Sequence, residues 1–147
     1  MAEPGTLCRA MIALGAVSLL AAPAIPQGKA AALSALARLE PGLWQIRNIE
    51  ERGAAPQSIC IADPAILVQV QHRDSPCSRV VLASDSVSAT VHYTCPAHGF
   101  GRTSVRVETP RLAKIDTQGI LDQSPFAYRA EARRVGACDK MAVNRRR

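Results

Sequence analysis

The chain has 147 residues, 48% of them hydrophobic and 20% charged, with a formal net charge of +6. At about 100–200 residues per domain, that length holds one domain and excludes large multidomain enzymes, repeat arrays and polytopic membrane proteins. The apolar fraction is too high and the charged fraction too low for a disordered chain, and five aromatics are too few for interleaved base stacking, so nucleic acid is not an expected partner.

Arg9 precedes an apolar run from Ala10 to Ala24 broken only by Gly15, Ser18 and Pro23. That run is about fifteen residues, short of the roughly 20 needed to span a bilayer. Ala22 and Ala24 supply the small residues that a signal peptidase reads. Residues 1–27 are therefore expected to be a signal peptide, cut after Ala24 or later, near Ala30 or Ala32. Cys8 lies ahead of the run, so it is not the cysteine of a lipoprotein signal. Residues 28–138 form the expected exported domain, without a stable membrane span, and 139–147 a basic tail ending in Arg145-Arg146-Arg147.

Export leaves four cysteines, Cys60, Cys77, Cys95 and Cys138. An even number in a small exported domain reads as two disulfides. Two β-rich runs flank Ser84-Asp85-Ser86, and folding about Ser86 sets 77 opposite 95, 79 opposite 93 and 81 opposite 91. That register favours pairs 77–95 and 60–138; the rival pattern is 60–77 with 95–138.

In chain order, Gly28 to Leu39 can form a short helix, with Leu33, Leu36 and Ala37 on one side and Pro41-Gly42 as its stop. Leu43 to Arg47 alternates as a strand, and Gln57 to Ile61 is a second. Asp63-Pro64 is an N-cap with proline at the first helical position, so Ala65 to Gln71 reads as a short helix, although ILVQV also suits a strand. Arg79 to Ala83 and Val87 to Cys95 form a hairpin, and Pro96 to Gly101 a loop. Arg102 to Glu108 alternates, with Thr103, Val105 and Val107 on one side. Thr109-Pro110 turns the chain into Arg111 to Gly119, and Ile120 to Pro125 turns it again. Phe126 to Val135 closes the series, with Phe126, Tyr128, Ala130 and Ala132 opposite Arg129, Glu131 and Arg133. Short strands with turns between them predict a mainly β fold: an antiparallel meander forming a curved sheet or partly open barrel, with one or two short helices near the N-terminal side.

Three patterns occur in order: Pro41-Gly42-Leu43-Trp44 opening the first strand, the hairpin bounded by Cys77 and Cys95, and Arg133-Arg134-Val135-Gly136-Ala137-Cys138. With the export signal, and Cys60 before a short helix, they resemble the bacterial domain-of-unknown-function family numbered 3617. Val107 to Leu112 and Thr117 to Ile120 look like its branch in sphingomonad-type alphaproteobacteria. The resemblance covers about residues 38–138. It implies a small exported β domain of a Gram-negative bacterium, periplasmic or secreted, with four cysteines and no assigned activity. The basic extension after Cys138 departs from the pattern.

No catalytic residues and no cofactor are expected. The sharpest chemical alternative is a zinc site of His72, Cys77, Cys95 and His98, spaced H-x4-C and C-x2-H, which oxidation of the cysteines would abolish. There is no nucleophile elbow. Paired carboxylates for glycoside cleavage would have to come from Glu108, Asp116, Asp122 or Glu131, most of which have basic neighbours. Arg79 opposite Tyr93 suggests a cross-strand cation–π contact, and Trp44 a core anchor rather than a sugar-stacking platform. The expected function is a non-enzymatic binding or envelope-accessory module, holding a small apolar ligand or an envelope component. A cavity lined by Val105, Val107, Ile115 and Phe126 would favour it. The alternative is an inhibitor-like interaction domain with a rigid loop at Pro96 to Gly101.

Overall fold

A computed structural model describes residues 33–138. The expected signal peptide, the first part of the Gly28 to Leu39 helix and the basic tail lie outside the described residues. Seven antiparallel strands, β1 (Gly42–Asn48), β2 (Gln57–Ile61), β3 (Ser78–Ser84), β4 (Ser88–Cys95), β5 (Gly99–Thr109), β6 (Leu112–Leu121) and β7 (Ser124–Gly136), form one sheet. Its order is β2-β1-β7-β6-β5-β4-β3. The meander runs from β3 to β7, and β1 then adds to the far side of β7.

The expected mainly β antiparallel meander forms, and of its two forms, curved sheet or partly open barrel, it is one open sheet with β2 and β3 as its edges. The reason lies in the connection between those two edges. It carries a 3-10 helix, Pro64–His72, onto β4, β5 and β6, filling the space that a barrel would enclose. Asp63 caps this helix by accepting from Ala65 N at 2.9 Å, with Pro64 in the first turn. The chain is not a single helical run: Gln69, at φ −136° and ψ 38°, kinks it. Of the expected helix before β1, the described residues hold only the 3-10 turn Leu36–Arg38. It stops where Glu40 N turns away to bond Pro110 O at 2.9 Å, docking the segment on the β5–β6 turn.

Side-chain alternation sorts the sheet into two unlike faces. The inner face carries Trp44, Ile46, Val91, Val105, Ile115 and Ala132, all buried in one cluster with Leu36, Leu67 and Val68 from the helical segments. The middle strands add small buried residues, Ala113, Ala130 and Ala132, to the same cluster. Gly101 and Gly119 face each other across β5 and β6, and a Cβ at Gly101 would overlap the Tyr93 hydroxyl and ring. Glycine there is therefore a packing requirement imposed by the buried tyrosine.

Two turns are tighter than the sequence suggests. Gly99 to Gly101 belong to β5, leaving Pro96, Ala97 and His98 outside the strands, with Ala97 at φ 65°. Asp122 and Gln123 alone join β6 to β7, both at positive φ, as a two-residue hairpin of the right twist requires. Ile120, Leu121, Ser124 and Pro125 are consequently paired strand residues. Pro125 is tolerated because β1 meets β7 only at Ala130 and beyond, so one flank of β7 has no strand partner at that point.

Candidate functional site

Cys77–Cys95 and Cys60–Cys138 are disulfides, with Cα atoms 4.2 and 5.5 Å apart. The hairpin register explains the first: Arg79 faces Tyr93 and Val81 faces Val91 before a bulge shifts the ladder between Val81 and Ala83. The second ties the outermost strand β2 to the chain just beyond β7. Two such bonds indicate an oxidising, extracytoplasmic compartment. Among the described residues, no helix is long and apolar enough to cross a membrane.

These bonds rearrange the chemistry that the sequence offers around His72. Cys77 and Cys95 are oxidised to each other and supply no thiolate, so the Cys2His2 set does not stand. His72 is buried, with Nε2 donating to His98 O at 3.0 Å. A carbonyl can only accept, so in the neutral ring Nδ1 accepts from the Tyr93 hydroxyl at 3.2 Å. Thr103 and Thr117 are hydrogen-bonded to each other at 2.7 Å and both reach Tyr93. Burial raises the Tyr93 phenol above its ordinary pKa and pushes that of Tyr128, on the same face, up to about 12. This chain of polar groups is closed to solvent and locks the helix to β4 and to the turn after it. His98 itself points outward, its Nδ1 3.0 Å from Asp122 Oδ1.

Arg79 does stand opposite Tyr93, but its Nε donates to Gln69 Oε1 at 2.6 Å, so the cation–π expectation gives way to a link with the kinked helix. The apolar cavity expected around Val105, Val107, Ile115 and Phe126 does not form: the first three are buried in the core beneath the helical segments, and Phe126 is half-buried and lines a recess with Phe100 and Ile120. Trp44 is fully buried, and its Nε1 donates to Glu40 O at 3.1 Å.

Open space lies on the other face. Register places outward side chains in rows across the strands. One row runs Val80, His92, Arg102, Gln118, Ala127; the next runs Thr90, Ser104, Asp116, Arg129; a third runs Ser88, Arg106, Lys114, Glu131, Arg47. The β1–β2 connection bends toward this face, because Glu50 takes both Arg129 N and Arg129 Nε at 3.0 Å. Those two bonds and the guanidinium charge hold the Glu50 carboxyl below its ordinary pKa.

Under that connection is a recess of about 620 Å³ between Arg47, Arg52, Glu131 and Arg133, and beside it one of about 420 Å³ over Ser104, Lys114, Asp116 and Arg129. Ile49 and Glu131 line both. The carboxylates here are largely spoken for. Glu131 is 3.7 Å from Arg47 and 3.1 Å from Arg133; Glu108 is 3.1 Å from Arg106 and 3.8 Å from Lys114. The Arg52 side chain has no hydrogen bond or ion pair among the described residues. The cations of these pairs are solvent-exposed while the Glu131 and Glu108 side chains are half-buried, so the pairs contribute little to stability and the cations remain available to a ligand. No family model, curated protein or solved structure matches this chain.

Of the four carboxylates considered for glycoside cleavage, Glu108 and Glu131 are held in these ion pairs. Asp122 sits in the β6–β7 turn, and Asp116 stands opposite Arg129. The sequence reading missed Ile49 to Pro56 as part of a site. The only signal was the Ile49-Glu50-Glu51-Arg52-Gly53 stretch, an apolar residue and charges in a loop long enough to fold back.

Proposed function

We propose that this chain is a periplasmic binding or envelope-accessory module without catalytic activity, belonging to the family it resembles, and that its ligand lies on the outer face of the sheet beneath the β1–β2 connection. The observation that carries this reading is the contrast between the faces. The apolar face is spent on the core, whereas the outer face holds two contiguous recesses rimmed by arginines and a lysine. The ligand is accordingly polar and acidic where it meets Arg47, Arg52 and Arg133, rather than wholly apolar. Guanidinium groups suit it because they present paired donors to carboxylate or phosphate oxygens.

The inhibitor-like reading has less support. It needs a protruding loop at Pro96 to Gly101, and half of that stretch is paired with β4 and β6.

Native mass spectrometry and lipid extraction of the protein isolated from periplasm provide the test. A retained acidic ligand is expected on the wild type, and its occupancy should fall about tenfold or more in the R47E/R133E double variant. The same loss in R38E/R73E, whose arginines lie outside these recesses, would overturn the placement. Absence of any ligand or partner on the wild type would overturn the binding role.

A further inference from the structure

We propose that the outer face takes a single anionic amphiphile, its acid group on Arg102 and its apolar chain over Phe100 and Ile120. This rests on the reading of the outer face as the binding surface, and it adds a second site on that face, apart from the recesses beneath the β1–β2 connection, with its own class of ligand. The rows of that face differ in character from one end to the other. Toward the β1–β2 connection they carry paired charges. At the opposite end, Phe100 and Ile120 stand side by side across β5 and β6, next to His92, Gln118 and Ala127. These residues line a recess of about 440 Å³. Phe100 is 46% exposed there and Val80, two strands away from Arg102, is 60% exposed, so water covers apolar surface that the core had no use for.

Arg102 sits within this apolar end. Its guanidinium makes no hydrogen bond or ion pair among the described residues, whereas those of Arg106, Arg129 and Arg133 each hold a carboxylate. An uncommitted guanidinium beside an exposed aromatic matches a molecule that carries an acid at one end of a hydrocarbon chain. A purely polar anion would leave Phe100 and Ile120 wet, and a neutral lipid would leave Arg102 unpaired. The recess is bounded by side chains from four adjacent strands, β4 to β7, which suits one molecule laid across them.

Dodecyl phosphate below its micelle concentration is the probe, read by amide chemical shifts and calorimetry on the oxidised protein. Saturable binding is expected, with the largest shifts at His92, Phe100, Arg102, Gln118 and Ile120. Affinity should drop roughly tenfold or more in R102Q and in F100S, both exposed positions that leave the fold intact. Dodecyl maltoside should bind at least about tenfold more weakly. Equal affinity for the two amphiphiles, or no effect of R102Q, would overturn the proposal, as would binding only to phosphatidylglycerol vesicles and not to monomers.

Polygalacturonate separates this inference from the reading beneath it. If the polyanion shifts Arg47, Lys114 and Arg133 while dodecyl phosphate leaves residues 92–102 unmoved, the amphiphile alone is lost. If neither moves the outer face, both are lost.

Discussion

Removing the Cys60–Cys138 bond by a double substitution to serine is expected to cost about 4–5 kcal/mol, measured by urea unfolding under non-reducing conditions. The figure follows from loop-closure entropy, which grows with the length of chain enclosed. The bond spans 78 residues, against 18 for Cys77–Cys95, whose removal should cost about 3 kcal/mol on the same basis. A domain of this size has about 5–15 kcal/mol in all. Losing the longer bridge therefore leaves it marginal. The local structure points the same way. β2 has five residues and pairs only with β1, so the disulfide is its second attachment to the sheet. The Cys77–Cys95 hairpin, by contrast, keeps a ladder running from Ser78 to Ser84 when its bond is gone. If C77S/C95S proved the more damaging pair, the entropic account would be wrong.

Trp44→Ala is expected to cost about 3–5 kcal/mol, in the range of buried aromatic truncations. Trp44 is 0% exposed and touches a core assembled from both helical segments and most strands, in a chain with few other large side chains to fill the void. Trp44→Phe should recover part of the loss, since it keeps one aromatic ring in the core but gives up the rest of the indole and its N–H bonded to Glu40 O. Thermal and urea unfolding decide this. A W44A protein of wild-type stability that had lost its ligand would instead make Trp44 part of the binding surface.

Much of the fold was legible because alternation and the turn signals agree. The run of Thr103, Val105 and Val107 against Arg102, Ser104 and Arg106 can only be a strand with one dry face, and the structure buries the first set. The hairpin register follows from the same logic, since a one-residue slip would bring Tyr93 and Val91 to the solvent side. The open sheet was harder to read. Nothing local in Pro64–His72 says that the helix lies over the middle strands and fills the interior, because that is decided by the path between the two edges. Gly99 to Gly101 misled for a related reason. Glycines read as loop, yet Gly101 is needed in the strand to make room for the Tyr93 ring, and a Cβ on Gly99 would meet the Ile120 carbonyl.

The site was less legible than the fold. Arg47, Lys114, Arg129 and Glu131 look in sequence like ordinary outward charges, and all four do form surface pairs. What gathers them is the order β1-β7-β6, which sets residues from distant parts of the chain in adjacent rows, and the Glu50–Arg129 contact that brings the β1–β2 connection over them.

Site-specific photocrosslinking in the periplasm tests the central claim, that the outer face binds while the helix-covered face is sealed. Benzoylphenylalanine placed at Ser104, Gln118 or Gln45 should capture the ligand or its carrier, and the same group at Ala65 or Arg73, on the helical side, should capture nothing. Adducts from the helical positions with none from the outer face would contradict it.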